Sequence, residues 1–142
     1  MNSPLRLSEA TALAVMLSTG ALFVTAVSAD ERGSLTGDWA GSSICVANHD
    51  PCRDEKALYH LTGPNERNMV TVIGSKIVDG REIVMGPPAD FTYDPEKKTL
   101  VFESRAGVFR FTVSSTTLEG TLTVTSGELY RRISLKKIAK AG

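Results

Sequence analysis

Residues 35–45 read Leu-Thr-Gly-Asp-Trp-Ala-Gly-Ser-Ser-Ile-Cys and contain the single tryptophan of the 142-residue chain. Gly37 allows the backbone to bend two residues before Trp39, so that the indole can turn into an apolar interior. The segments that follow are rich in β-branched and aromatic residues. The stretch therefore predicts the first strand of an all-β domain, with Trp39 closing one end of the interior.

Turn signals divide the rest of the chain at intervals of about eight to twelve residues, which is typical of antiparallel meanders. Asp79-Gly80 predicts a two-residue hairpin, and Gly86-Pro87-Pro88 predicts a break because proline cannot donate to a strand ladder. These signals predict a small antiparallel up-and-down β-barrel of about 8–10 strands. The predicted strands are 35–45, 56–62, 69–73, 76–78, 81–85, 90–93, 99–103, 107–113, 118–124 and 129–135.

The N-terminal residues predict export. Arg6 precedes a long apolar stretch, and Val27-Ser28-Ala29 has the small residues that signal peptidase requires. We therefore assign residues 1–29 to a signal peptide and residues 30–142 to a single β-barrel domain that is periplasmic or extracellular. The alternative is an uncleaved membrane anchor, since the apolar stretch is about long enough to span a bilayer.

The overall charge is neutral, with 16 basic and 16 acidic side chains. Nothing in this balance indicates a nucleic-acid partner, and no membrane span is expected after cleavage. The C-terminus is nevertheless basic, which suits either an anionic surface or a last strand protected against edge pairing. Its basic residues are Arg131, Arg132, Lys136, Lys137 and Lys140.

Cys45 and Cys52 are the two cysteines of the chain, and both lie in the exported part. Their even number and close spacing predict a local disulfide. A redox centre would be expected as C-x-x-C, and a zinc site would need more ligands than the neighbouring His49 supplies.

A group of polar residues could be arranged as a metal site. His49, Asp50, Asp54, Glu55 and His60 lie close together in the sequence, but loops produce such groups routinely. We predict loop-capping and solvent-facing roles for them, and neither a metal nor a cofactor. No hydrolase, P-loop or dinucleotide motif is present, so we predict a protein that is not an enzyme.

The last strand alternates between an apolar and a polar face, with Leu129, Ile133 and Leu135 on the apolar one. Arg131 is the exception, because its position falls on the apolar face. Arg110 alternates against phenylalanines and is expected to point outward.

Gly37 and Trp39 resemble the G-x-W opening of the calycin superfamily, which includes lipocalins, fatty-acid-binding proteins and avidin-like barrels. Many lipocalins pack a late basic residue across this tryptophan. The resemblance therefore implies that Trp39 and Arg131 form a barrel-closing pair, by a cation stacked on the indole.

Most of the exported chain also resembles small exported bacterial proteins of unassigned function. The shared features are Gly37 to Cys45, Cys52 followed by Asp54-Glu55, Gly120-Thr-Leu122, and Tyr130 to Leu135. This resemblance implies no activity.

Two functions follow as hypotheses. The first is a binding module that holds a small apolar or amphipathic ligand inside the barrel. The second is a protein-interaction module, similar to small periplasmic barrels that inhibit metalloproteases with an N-terminal tail, here residues 30–34. The candidate ligand-lining residues are Val70, Val72, Phe91, Phe102, Phe109 and Leu122.

Overall fold

A computed structural model of the chain describes Gly20 and residues 35–46 and 51–139. The predicted signal peptide lies outside these residues except for Gly20, and the predicted tail 30–34 lies outside them entirely. Cleavage before Asp30 therefore stays a prediction. His49 and Asp50, two of the residues weighed as metal ligands, also lie outside the described part of the chain.

The described residues form nine strands, and the predicted strand positions are confirmed to within a few residues. One difference is that the predicted strands 69–73 and 76–78 are a single long strand. The strands are β1 Gly37–Cys45, β2 Glu55–Thr62, β3 Met69–Val78, β4 Arg81–Val84, β5 Ala89–Asp94, β6 Thr99–Ser104, β7 Gly107–Val113, β8 Thr117–Val124 and β9 Leu129–Lys137.

All pairings between the strands are antiparallel. β9 returns to pair with β1, and β2 pairs with β3, so that eight strands close into a barrel. β4 and β5 follow each other along the same side of β3, and β4 extends the wall beyond the closed ring. The predicted up-and-down barrel is thereby confirmed.

The turn chemistry explains how β3, β4 and β5 share one side of the wall. Asp79 and Gly80 have φ angles of 50° and 74°, the left-handed values that a two-residue hairpin needs. After β4 the predicted proline break is present, and β5 begins at Ala89. The step from Val72 to Ser75 on β3 is opposed by the longer segment from Val84 to Ala89. The wall therefore bulges at residues 85–88.

One end of the barrel is filled by side chains. Trp39 is fully buried, and its Nε1 donates a hydrogen bond to the carbonyl oxygen of Leu35 at 3.1 Å. Phe111 covers Gly120, where an added Cβ would lie 2.3 Å from the ring. The rest of the buried core comprises Leu35, Ala57, Tyr59, Leu61, Val70, Val72, Phe91, Tyr93, Leu100, Val113, Leu118, Ile133 and Leu135.

The resemblance-based pairing of Trp39 with Arg131 is wrong. In the register of β1 and β9, Trp39 lies opposite Lys137, and Arg131 lies opposite Cys45 at the other end of the strand. The Lys137 ammonium is 5.5 Å from the centre of the Trp39 ring. The tryptophan has a cationic neighbour, as the resemblance implies, but the strand register gives this position to Lys137.

The predicted disulfide between Cys45 and Cys52 is confirmed. The Cys45 amide also donates to Asp54 Oδ1 at 2.8 Å, so the end of β1 is fastened to the segment that leads into β2. A disulfide indicates an oxidising environment.

Candidate ligand-binding cavity

The barrel interior opens into a cavity of about 420 Å³ at the end away from Trp39. This volume falls within the range typical of small-molecule sites. The lining comes from all eight strands of the closed ring and from the bulge between β4 and β5. It consists of Ser43, Glu55, Tyr59, Val72, Gly74, Met85, Pro87, Pro88, Ala89, Phe91, Phe102, Phe109, Leu122, Arg131 and Ile133.

Aromatic side chains of β5, β6 and β7 form one wall of the cavity. Phe91 stacks on Phe102 with ring centres 5.1 Å apart, and its ring centre is 6.2 Å from that of Phe109. Phe91 is 4% exposed, whereas Phe102 and Phe109 are only partly buried against the core. Phe91 therefore supports the wall from the core side, while Phe102 and Phe109 keep apolar surface exposed toward the cavity.

The opposite wall carries a polar group of side chains. Arg131 donates to the carbonyl oxygen of Ser43 at 3.3 Å and to its hydroxyl at 3.1 Å. The nearest distance from the Arg131 guanidinium to the Glu55 carboxylate is 3.7 Å, and the two side chains are 14% and 18% exposed. An otherwise apolar cavity thus contains one positive and one negative side chain.

Tyr59 lies between this polar group and the filled core. Burial raises the pKa of its hydroxyl to about 12, and the Glu55 carboxylate adds to the rise while Arg131 opposes it. The hydroxyl therefore stays protonated and neutral at physiological pH. Tyr59 brings a hydrogen-bonding group to the cavity without adding a charge.

The bulge after β4 borders the mouth of the cavity. Met85 is 42% exposed, and its amide donates to the Gly74 carbonyl oxygen at 2.8 Å. Pro87 and Pro88 follow and have no amide hydrogen to continue the ladder. The sequence Gly86-Pro87-Pro88 therefore leaves this side of the wall without a continuous strand, next to the cavity.

The structure brings most of the predicted ligand-lining residues to one place. Val72, Phe91, Phe102, Phe109 and Leu122 line the cavity. Val70 does not, because it is fully buried in the filled part of the core.

Sequence reasoning missed the polar members of this lining. The signal for Arg131 was present in its position on the apolar face of the last strand. The signal for Glu55 was similar, since it alternates in phase with the inward residues Ala57, Tyr59 and Leu61. Glu55 is the first residue of β2, where alternation alone cannot distinguish an inward position from a loop position. Alternation did place Arg131 inward, but it gave no indication that Glu55 would be its neighbour.

His60 belongs to a different cluster, on the outside of the barrel. Its Nδ1 lies 2.7 Å from Asp38 Oδ1, and its Nε2 lies 2.6 Å from Glu82 Oε1. The hydrogen bonds to these two carboxylates raise the pKa of His60. In residues 35–46 and 51–139, no group of three or more acidic, histidine or cysteine side chains is placed to hold a metal ion.

No family model and no curated protein matches the chain. Within the described part of the chain, none of the helices has the length and apolar character needed to cross a membrane.

Proposed function

We propose that this protein is an exported binding module that holds a small apolar or amphipathic molecule in the open end of its barrel. The observation that carries the proposal is the cavity of about 420 Å³, which has an aromatic wall on one side and a polar group on the other. Burial of a ligand against partly exposed rings such as Phe102 and Phe109 supplies the driving force. The polar group gives the ligand an orientation.

The cavity is already open in the structure, and contacts within the protein hold its walls in place. Phe91 fixes the aromatic wall by contacts with Phe102, Phe109 and Phe111. Arg131 is held by Ser43 on the neighbouring strand. Because these side chains are already positioned, little conformational entropy is lost when a ligand binds.

The calycin-like fold, the exported location and the lack of catalysis that the sequence predicts belong to the same proposal. An eight-stranded antiparallel barrel is compatible with a calycin-like fold. The Cys45–Cys52 disulfide is consistent with a periplasmic or extracellular site of action. A ligand carrier of this kind needs no catalytic group and no cofactor.

Native mass spectrometry after mild extraction tests the proposal directly, and we expect a co-purifying small molecule. The matched variants are Leu122→Trp and Thr121→Trp, on successive positions of β8. Leu122 lines the cavity, whereas Thr121 lies in the outer row between Arg110 and Arg132.

The indole of Leu122→Trp would occupy the cavity, so we expect loss of the bound molecule and at least about tenfold weaker binding of added amphiphiles. Thr121→Trp should bind as the wild type does. Equal binding by both variants would place the ligand outside the cavity and refute the proposal.

A protein-interaction module is the second candidate, and one observation favours it. The hairpin of β3 and β4 exposes a group of apolar side chains, and such patches occur at protein interfaces. They are Val78, Ile83, Val84 and Met85, at 41%, 43%, 56% and 42% exposure. In this proposal residues 30–34 act as an inhibitory tail, and their deletion should abolish inhibition of a metalloprotease.

A further inference from the structure

The charged pair in the cavity is close but not hydrogen-bonded. The shortest distance between the Arg131 guanidinium and the Glu55 carboxylate is 3.7 Å. A hydrogen bond between these groups would be shorter than about 3.2 Å. Both side chains are less than one-fifth exposed, so solvent reaches them poorly. A ligand in the cavity therefore meets a donor and an acceptor that do not satisfy each other.

We propose that the ligand carries one neutral polar group, such as a primary amide, which accepts a hydrogen bond from Arg131 and donates one to Glu55. This inference rests on the proposed function, since it names the chemistry that the same cavity recognises. A primary amide suits the pair because its carbonyl oxygen and its amino group are separate atoms on one planar group. The apolar body of the ligand then lies toward Phe102 and Phe109.

A charged ligand group fits less well in this place. A carboxylate next to Arg131 would also lie near the Glu55 carboxylate, and an ammonium next to Glu55 would lie near the guanidinium. Each gains one favourable contact and meets one repulsion at low solvent exposure, where charges are weakly screened. Each also loses its hydration on entering the cavity, which costs more for an ion than for an amide. The site thus discriminates against both signs of charge.

Among the residues that the structure describes, Lys76 is a second basic neighbour of Glu55. Its ammonium lies 3.8 Å from Glu55 Oε1, whereas Arg131 approaches Oε2. The side chain of Lys76 is 36% exposed, and the residue is not part of the cavity lining. Solvent therefore screens its charge from a bound ligand more effectively than it screens Arg131.

The test compares three probes with the same alkyl chain: decanamide, decanoate and decylamine. Binding to the purified protein is measured by calorimetry at neutral pH, below the concentrations at which the probes aggregate. We expect decanamide to bind about tenfold more tightly than either charged probe.

Charge-changing variants should then remove the preference for the amide over one of the charged probes. Glu55→Gln removes the carboxylate charge at nearly constant shape, so decanoate should gain about tenfold relative to decanamide. Arg131→Gln should give the same gain to decylamine. Lys76→Gln is the control and should leave the order of the three probes unchanged. Glu55→Gln decides the question alone if circular dichroism shows that Arg131→Gln does not fold.

The outcomes separate the two proposals. If none of the probes binds the wild-type protein, the proposed function fails, and the inference fails with it. If the probes bind with equal affinity, or if decanoate binds best to the wild-type protein, the cavity remains a binding site and the inference is refuted. A preference for decanamide that Glu55→Gln shifts toward decanoate supports both.

Discussion

The two ends of the barrel are built from the same antiparallel strands, but side chains fill one end and leave a cavity at the other. At the closed end, Trp39, Leu35 and Leu135 are fully buried, and the indole N–H of Trp39 donates a hydrogen bond to the backbone carbonyl oxygen of Leu35. At the open end, Phe102 and Phe109 are only partly buried, and the half-buried Arg131 meets the Glu55 carboxylate at more than hydrogen-bond distance.

The difference lies in what the inward positions carry. β1 places Trp39 inward at one end and Ser43 inward at the other, and β9 likewise runs from Arg131 to Leu135. Large apolar side chains fill the first end, while a short serine and a hydrogen-bonded arginine leave room at the second. We infer that stability is concentrated at the closed end and that recognition is concentrated at the open end.

The strongest test of this division is to truncate one aromatic ring at each end. Trp39→Ala removes a fully buried side chain and should lower the free energy of unfolding by about 3–5 kcal/mol. Phe102→Ala removes a ring that faces the cavity on one side, so it should cost only about 1–2 kcal/mol. Urea denaturation of the two variants measures both values.

Equal losses of unfolding free energy in the two variants would contradict the inference that stability is concentrated at the closed end. A nearly neutral Trp39→Ala would show that the closed end does not anchor the fold. The fluorescence of the wild-type protein gives an independent check, because a fully buried indole should emit at shorter wavelength than a solvated one.

Much of the fold followed from local signals in the sequence. Asp79-Gly80 predicted its hairpin because few residues accept the positive φ angles found there. Gly86-Pro87-Pro88 predicted the break after β4 because proline removes the ladder donor. Cys45 and Cys52 predicted their disulfide because they lie only seven residues apart in the segment that is predicted to be exported. Each of these features is decided by residues that are close in sequence.

The features that sequence reasoning missed depend on register between distant strands. Lys137 and Arg131 are both basic residues of β9, and only the pairing of β9 with β1 decides which one reaches Trp39. Glu55 meets Arg131 because both β2 and β9 flank β1. Alternation along a strand gives the face of a residue, but it does not give its neighbours around the barrel.

Removal of the disulfide should have a smaller effect on stability than Trp39→Ala. It tests the open end of the barrel, where Cys45 lies opposite Arg131. Replacing both cysteines by alanine should lower the free energy of unfolding by about 2–3 kcal/mol, because a short loop loses its closure. The barrel should keep its fold, which circular dichroism can verify. Free thiols that titrate in the unreduced native protein would contradict the disulfide itself.

The smallest expected effect on stability concerns His60, whose side chain connects the closed end of the barrel to the strand beside the cavity mouth. His60 on β2 contacts Asp38, next to Trp39, and Glu82 on β4, the strand that leads to the cavity mouth. A protonated imidazole donates to both carboxylates at once, which raises the pKa of His60 in the folded protein. This stabilisation is therefore fully present below the unfolded-state pKa of about 6.5 and is lost as the pH rises through the raised pKa.

We expect His60→Gln to cost about 1 kcal/mol or less near pH 6, because the His60 side chain is one-third exposed and solvent screens the bridge. The difference from the wild-type protein should shrink as the pH rises through the raised pKa of folded His60, where the imidazole loses the proton that it donates to one of the two carboxylates. Urea denaturation across this range gives the profile, and Glu82→Gln, which keeps Asp38, should show a smaller pH-dependent difference. A difference that grows with pH would mean that the neutral imidazole holds β4 to the barrel, and the electrostatic link between the closed end and the cavity mouth would then be wrong.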